Sequence, residues 1–146
     1  MALTGLDAIL YHNTGSFGSP VWDAVTNCRD ATLNIEVGEA DASRRGAVWS
    51  QRVPTLIDAT IDFSMVWEEA DADFTVFRTA ALARTTVEVL ALDGAHGESL
   101  KSGLRAICYV FTLNRNEPLT EALTVDVSLR PGFTTLAEIP TWDIRS

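Results

Sequence analysis

The sequence predicts a mainly β protein with a single helix, and three strand patterns carry that prediction. Apolar and polar residues alternate strictly in the segments 31–37, 57–67 and 123–129. Because successive side chains of a strand point to opposite faces of a sheet, this alternation is typical of sheets with one buried face and one wet face. The polar positions are small, hydroxylated or acidic, so the function depends on what this polar face contacts.

Four further segments complete the predicted order of strands. Residues 6–11 and 22–25 open the chain as short strands, and residues 87–92 are rich in β-forming side chains. The segment 104–113 is apolar at nearly every position, which predicts a central strand covered on both faces. We expect it to form a hairpin with the strand at 123–129.

One helix is predicted at about Asp71–Ala83. Asp71 is the expected N-cap, and further acidic residues cluster at the helix start, where the helix dipole favours negative charge. Four apolar residues at helical spacing are expected on its buried face: Phe74, Phe77, Ala81 and Leu82.

Length and composition indicate one domain spanning residues 1–146. A chain of 146 residues with 47% hydrophobic residues can bury a hydrophobic core without stabilising metal ions or disulfides. A long inter-strand loop is predicted at about 38–52, and a C-terminal arm at about 133–146. Both termini, 1–4 and 133–146, are expected to be extended docking segments.

Charge, hydropathy and cysteine usage narrow the classes of function. The net charge of −9 argues against nucleic-acid binding, because such affinity comes largely from cations that neutralise phosphates. We expect no membrane span and no secretory signal, and therefore a cytoplasmic origin. Cys28 and Cys108 are expected to be reduced and partly buried.

The sequence offers no catalytic, cofactor-binding or metal-binding pattern, so the chain is not expected to be an enzyme. The two histidines, His12 and His96, are interpreted as solvent-facing loop residues. Asp58 and Asp62 share one strand face about 13 Å apart, too far for a pair of catalytic carboxylates.

One basic cluster stands out on this acidic chain. Arg44, Arg45 and Arg52 lie within or at the end of the long loop, with Trp49 between them. They are either solvated loop residues or an interface arm, since Arg and Trp are enriched at binding hot spots. A positive arm on a chain of net charge −9 is suited to dock on another copy of the chain.

The order of these segments resembles that of phage-type tail tube proteins (major tail proteins), including those of gene-transfer particles. The resemblance extends to about residue 132 and is carried by NCRDATLNIEVGEAD at 27–41, Arg44-Arg45, TIDFSMVW at 60–67, the helix beginning near Asp73, and NEPLTEALTV at 116–125.

The resemblance implies an antiparallel β-sandwich or partly open barrel with one flanking helix. It implies hexameric rings that stack into a hollow tube around a tape-measure protein, with other tail proteins as partners and no cofactor. DNA would pass through without specific binding, and the protein would end in the virion tail after assembly in the bacterial host cytoplasm.

In such a tube, the long loop would contact neighbouring subunits or rings through Arg44, Arg45, Trp49 and Arg52. The polar face would line the lumen, or alternatively face the outside solvent. The lumen candidates are Asp58, Asp62, Ser64, Glu88 and Asp126, with Glu36 on the same logic.

Two other functions remain open at this point. The first is a β-sandwich binding module of the baseplate or carbohydrate-binding type, working as a monomer or small oligomer. The second is a tail terminator or connector of the same particle.

Overall fold

The computed structural model describes residues 9–94, 100–117, 119–132 and 139–144. Its elements in chain order are β1 (Ile9–Asn13), β2 (Trp22–Ala24), β3 (Cys28–Asp41), β4 (Arg52–Val66), α1 (Ala72–Ala83), β5 (Thr86–Leu92), β6 (Ser102–Asn116), β7 (Thr124–Pro131) and β8 (Thr141–Ile144).

All strand pairs are antiparallel and belong to one sheet with the order β2-β1-β5-β6-β7-β4-β3, while β8 pairs with the first part of β6. The sheet is open, since β2 and β3 lie at its two ends and do not pair with each other. The predicted mainly β fold with one flanking helix is confirmed.

The core lies between one face of the sheet and α1. Alternate residues of the central strands point into it, and Phe74 and Phe77 of α1 close it from the other side. The Phe77 ring packs edge-on against Phe63 at 5.1 Å, and Phe74 packs against Trp67 at 4.7 Å. Burying one such aromatic side chain stabilises the fold by roughly 1.5–3 kcal/mol.

The helix begins and ends where its capping residues predict. The Asp71 side chain accepts a hydrogen bond from the Asp73 backbone N–H at 3.2 Å, and Arg84 ends the helix with a left-handed φ of 58°. The predicted inward positions Phe74 and Phe77 are confirmed. The outer two are wrong: Ala80 is buried rather than Ala81, and Leu82 is 77% exposed, because the last turn rotates these side chains away from the sheet.

Strand β6 forms the expected hairpin with β7, but only one of its faces is fully buried. Leu104, Ala106 and Cys108 point into the core, whereas a β-bulge between Val110 and Thr112 changes the alternation. Phe111 lies at the bulge and is exposed, so the prediction of a strand covered on both faces is wrong there.

The connection between β3 and β4 is shorter than the predicted loop at 38–52, because both strands extend into it. Beyond a register shift between Val37 and Glu39, β3 continues to Asp41 and pairs with β4 back to Arg52. A side chain at Gly38 would come within 2.5 Å of the Thr55 hydroxyl oxygen, so glycine permits this close pairing. The loop itself covers residues 42–51.

The two chain ends are only partly described. The predicted C-terminal arm at 133–146 contains β8, whose register with β6 places Trp142 opposite Leu104. The segment 1–4, predicted to be a docking segment, lies outside the described residues, as do residues 133–138 and 145–146 and His96.

Candidate assembly surface

The most exposed part of the sheet is a two-stranded extension that we call the arm, comprising residues 32–41, 52–60 and the loop 42–51 between them. β4 pairs with β7 only from Ile61 to Val66, so within the arm it pairs with β3 alone. Among the described residues, β3 pairs with no second strand. The outer edge of β3 therefore presents unpaired backbone groups along its length.

One face of the arm is apolar and continues the row of core residues. The register places Ile35 opposite Ala59 and Val37 opposite Ile57, on the face that Ile61 shares further along β4. Ile61 is buried, whereas Ile35, Val37 and Ile57 are 45%, 55% and 71% exposed. A contiguous exposed apolar surface of this kind is typical of an interaction site.

The opposite face of the arm and of the adjoining strands is polar and acidic; we call it the polar face. Strand pairing aligns Asp58 with Glu36, Asp62 with Thr32 and Ser128, and Ser64 with Asp126. Directly opposed like charges such as Glu36 and Asp58 destabilise an isolated sheet. Four of the five predicted lumen candidates lie on this face: Asp58, Asp62, Ser64 and Asp126.

A shallow groove of about 320 Å³ runs across the polar face. It is lined by residues of β3 and β4 and by one arginine of β7: Asn34, Glu36, Asp58, Thr60, Asp62 and Arg130. Carboxylates outnumber the single cation here, so the groove is negatively charged.

The fifth lumen candidate, Glu88, is placed differently. Its side chain is nearly buried in an ion pair with Arg105, and Asn13 donates a hydrogen bond to it at 2.9 Å. Arg105 also donates to the Phe17 carbonyl at 2.7 Å and lies over the Phe17 and Trp22 rings. Glu88 is therefore neutralised under a loop and does not belong to the exposed acidic surface.

The tip of the arm carries the predicted basic cluster. Arg44 and Arg45 lie in the turn before Gly46, and the Trp49 ring is 82% exposed. Among the described residues, neither arginine is paired with a carboxylate. Arg52 differs, because it begins β4 and pairs with Glu39 across the arm at 2.8 Å.

Backbone bonds order the base of this loop. Ala42 donates to the Gln51 carbonyl at 2.8 Å, and Ser43 donates to the Asp41 carboxylate at 2.8 Å. The hydrogen bonds from Ser43 lower the pKa of the Asp41 carboxyl, because they stabilise its charged form.

The sequence interpretation of His12 as a solvent-facing loop residue is wrong. His12 lies within β1, only 2% exposed, and its Nε2 is 2.6 Å from the Asp73 carboxylate. The two residues are 61 positions apart, so the pairing appears only when α1 packs on the sheet.

Cys28 and Cys108 are free thiols, one half-buried and one buried, as predicted. Burial raises the pKa of Cys28 to about 11, with a further contribution from the Asp30 charge, and raises the pKa of Cys108 to about 12. Thiols with such pKa values are unreactive near neutral pH.

The described part of the chain contains no helix with the length and the apolar character of a membrane span.

The open antiparallel sheet, with the one helix of the described residues packed on a face of it, is similar to the fold of phage-type tail tube proteins. A chain in the tail of an empty gene transfer agent particle with C6 symmetry superimposes with a TM-score of 0.71 at 12% identity, covering 99% of this chain and 100% of that one. The SPP1 tail tube gives a TM-score of 0.71 at 12% identity, covering 98% of this chain and 81% of that one.

A third similar structure is the tube-terminating cap of the anti-feeding prophage, with a TM-score of 0.68 at 10% identity, covering 99% of this chain and 92% of that one. The sequence matches no protein-family model and no curated protein. At these identities the likeness establishes the fold, and the predicted resemblance to the tail tube fold is confirmed.

Proposed function

We propose that this chain is a structural virion protein that assembles into hexameric rings, which stack into a hollow tail tube for DNA delivery. The observation that carries the proposal is the apolar face of the arm, where Ile35, Val37 and Ile57 continue the core row into solvent. A folded chain that leaves such a face uncovered is suited to bury it against another copy of itself.

Ring closure accounts for the open ends of the sheet as well. An exposed sheet edge is a template for further strand pairing, which leads to aggregation unless the edge is covered. Contacts between different surfaces of identical subunits close into rings when the rotation between subunits permits it. The C6 symmetry of the similar gene transfer agent tail supports six as the number of subunits.

The polar face is the proposed lining of the tube, and its lumen residues are Asp58, Asp62, Ser64 and Asp126. Carboxylates repel phosphates and offer no gain from counterion release, so DNA slides without sticking. Tubes of an Asp58→Lys, Asp62→Lys double variant should retain short double-stranded DNA at low salt. Wild-type tubes should release it, and equal retention by both would contradict this assignment.

Stacking of the rings is assigned to the arm tip, with Arg44, Arg45 and Trp49 docking on acidic residues of the next ring outside its polar face. Arg52 supports the tip from its ion pair with Glu39. Charge reversal of Arg44 and Arg45 should abolish tubes in electron micrographs while the circular dichroism of the monomer stays unchanged. Normal tubes from that variant would contradict the stacking role.

Ring formation is tested by an aspartate in the apolar face of the arm. Ile57→Asp should give a folded monomer by circular dichroism and analytical ultracentrifugation, because the charge cannot be buried unpaired in an interface. Leu82→Asp is the matched control, an equally exposed apolar residue at the end of α1, and it should assemble. Rings from Ile57→Asp, or a wild-type chain that stays monomeric at all concentrations, would contradict the proposal.

A tail terminator is the second candidate, and the likeness to the anti-feeding prophage cap supports it. A terminator would form single rings that do not stack, whereas a tube protein polymerises. In either role the proposed location is the virion tail, reached after assembly in the host cytoplasm. A tape-measure protein inside the tube and other tail proteins at its ends are the further proposed partners.

A further inference from the structure

A second cluster of interacting side chains lies away from the arm, where β1, β2 and the start of α1 meet. The Nε2 atom of His12 is 2.6 Å from Oδ1 of Asp73 and 3.4 Å from Oδ2 of Asp23. The three donor atoms all lie within 4.8 Å of one another. We call these three residues the His12 cluster.

The backbone holds each member of the cluster in place. His12 and Asp23 are direct cross-strand partners in the pairing of β1 with β2. Asp73 lies in the first turn of α1, where its own N–H is bound by the Asp71 cap. Asp23 is the one member of the cluster whose side chain is exposed.

Two members of the cluster are enclosed in a largely apolar environment. His12 and Asp73 are buried, and the Phe77 ring lies 6.1 Å from the imidazole. Two carboxyl groups face one imidazole, so the cluster offers one nitrogen and two oxygen ligand atoms.

We propose that the His12 cluster is a binding site for a divalent transition-metal cation, with Zn²⁺ as the best match. One imidazole nitrogen and two carboxylate oxygens are ligands that Zn²⁺ accepts. A neutral imidazole and two carboxylates also balance the charge of a divalent ion. Mg²⁺ and Ca²⁺ fit less well because they require shells of six or more oxygens.

The distances are compatible with this assignment. Ligands of a tetrahedral zinc ion with bonds of about 2.0–2.2 Å lie roughly 3.4 Å apart. The distance from His12 Nε2 to Asp23 Oδ2 is already 3.4 Å. The distance from His12 Nε2 to Asp73 Oδ1 is 2.6 Å and needs to increase by less than about 1 Å. The Asp23 side chain is 56% exposed, so it leaves a path for the ion and for a water ligand.

A bound ion would tie the end strand β2 and the helix α1 to β1 in each subunit. The cluster lies at the opposite end of the sheet order from the arm, and metal binding to it can be measured on the monomer. Failure of ring formation would leave the metal site untouched, and failure to bind metal would leave the assembly proposal untouched.

The test titrates the metal-free full chain with ZnCl₂ and CoCl₂. With free Zn²⁺ at about 100 times the dissociation constant, the Tm of the wild type should rise by roughly 5–10 °C. Co²⁺ should give visible absorption bands of low-symmetry coordination at one equivalent, without the intense near-ultraviolet band of a thiolate ligand.

Asp23→Asn is the informative variant, because Asp23 is exposed and its loss should not unfold the chain. It should lose the Tm shift and the Co²⁺ spectrum, and the exposed control Asp58→Asn should keep both. A wild type without stoichiometric binding, or an Asp23→Asn variant that responds like the wild type, would overturn the proposal.

Discussion

Two regions of the same sheet have the same alternating sequence pattern and opposite environments. In the half covered by α1, alternate residues of β4 are completely enclosed: Ile61, Phe63 and Met65 are at most 4% exposed. In the arm, the same row continues through Ala59, which is still buried, to Ile57, which is 71% exposed. Both regions are thus within a single strand, and only what covers them differs.

Alternation in the sequence therefore identifies an apolar face of a strand but not the surface that covers it. In the covered half, the partner is the helix of the same chain, and its packing stabilises the monomer. In the arm, the described chain supplies no partner, so the same pattern contributes to association instead. Substitutions in the two regions should therefore separate into effects on folding and effects on assembly.

The largest expected effect on folding is that of Phe77→Ala in the covered half. Phe77 is fully buried against Phe63, so its removal should lower the free energy of unfolding by about 3–5 kcal/mol. Urea unfolding of the monomer measures this. The matched arm variant, Ile57→Ala, should change monomer stability by at most about 0.5 kcal/mol. Similar losses for the two variants would remove the distinction between the regions.

Ion pairs in the two regions should differ in the same way, with smaller changes in the free energy of unfolding. Arg105→Ala leaves Glu88 unpaired in a nearly buried site and should cost roughly 2–4 kcal/mol of unfolding free energy. Arg52→Ala breaks the Glu39 pair on the arm, where both side chains are about 60% exposed, and should cost less than about 1 kcal/mol. Chemical denaturation of both variants checks this, and a larger loss for Arg52→Ala would be inconsistent with an open arm.

The smallest effect concerns the like charges on the polar face of the arm. Asp58→Asn removes repulsion from the directly opposed Glu36 and should stabilise the monomer by about 0.2–1 kcal/mol. Asp126→Asn is the contrasting variant, since the Asp126 carboxylate accepts a hydrogen bond from Asn116 at 2.6 Å. Its thermal unfolding should shift downward, and a downward shift for Asp58→Asn would contradict the expected repulsion.

Local features of the fold could be predicted from the sequence, because they depend on neighbouring residues. The helix was predicted to within one residue from the Asp71 cap and the spacing of Phe74 and Phe77. The central hairpin of β6 with β7 was predicted from its apolar run and the turn that follows. Caps, turns and alternation depend on residues that are close in the sequence, so a single sequence is enough to predict them.

Features that depend on register or on distant contacts could not be predicted. The sequence predicts a loop at 38–52, because the register shift between Val37 and Glu39 that keeps β3 paired with β4 leaves no periodic pattern there. Glu88 has the same alternation as Asp62, and only its pairing with Arg105 across β6 shows that it is neutralised. The contact of His12 with Asp73 depends on helix packing alone.

The two native thiols should react slowly, so the labelling rate of a cysteine introduced in the arm can be measured against them. Because their pKa values are raised to about 11 and 12, Cys28 and Cys108 should react with a thiol reagent at pH 8 at least about tenfold more slowly than a free thiol with an ordinary pKa near 9. Absorbance of the released chromophore measures this, with the urea-unfolded chain as the control. Fast labelling of the folded chain would contradict the burial of both residues.

Against that background, the labelling rate of Ile57→Cys tests most directly whether another copy covers the arm. In dilute monomer this thiol should react as an exposed cysteine, and in assembled particles purified from the same sample it should react at least about tenfold more slowly. Leu82→Cys, on the exposed end of α1, should label at similar rates in both forms. Equal rates for Ile57→Cys in monomer and particle would contradict the account.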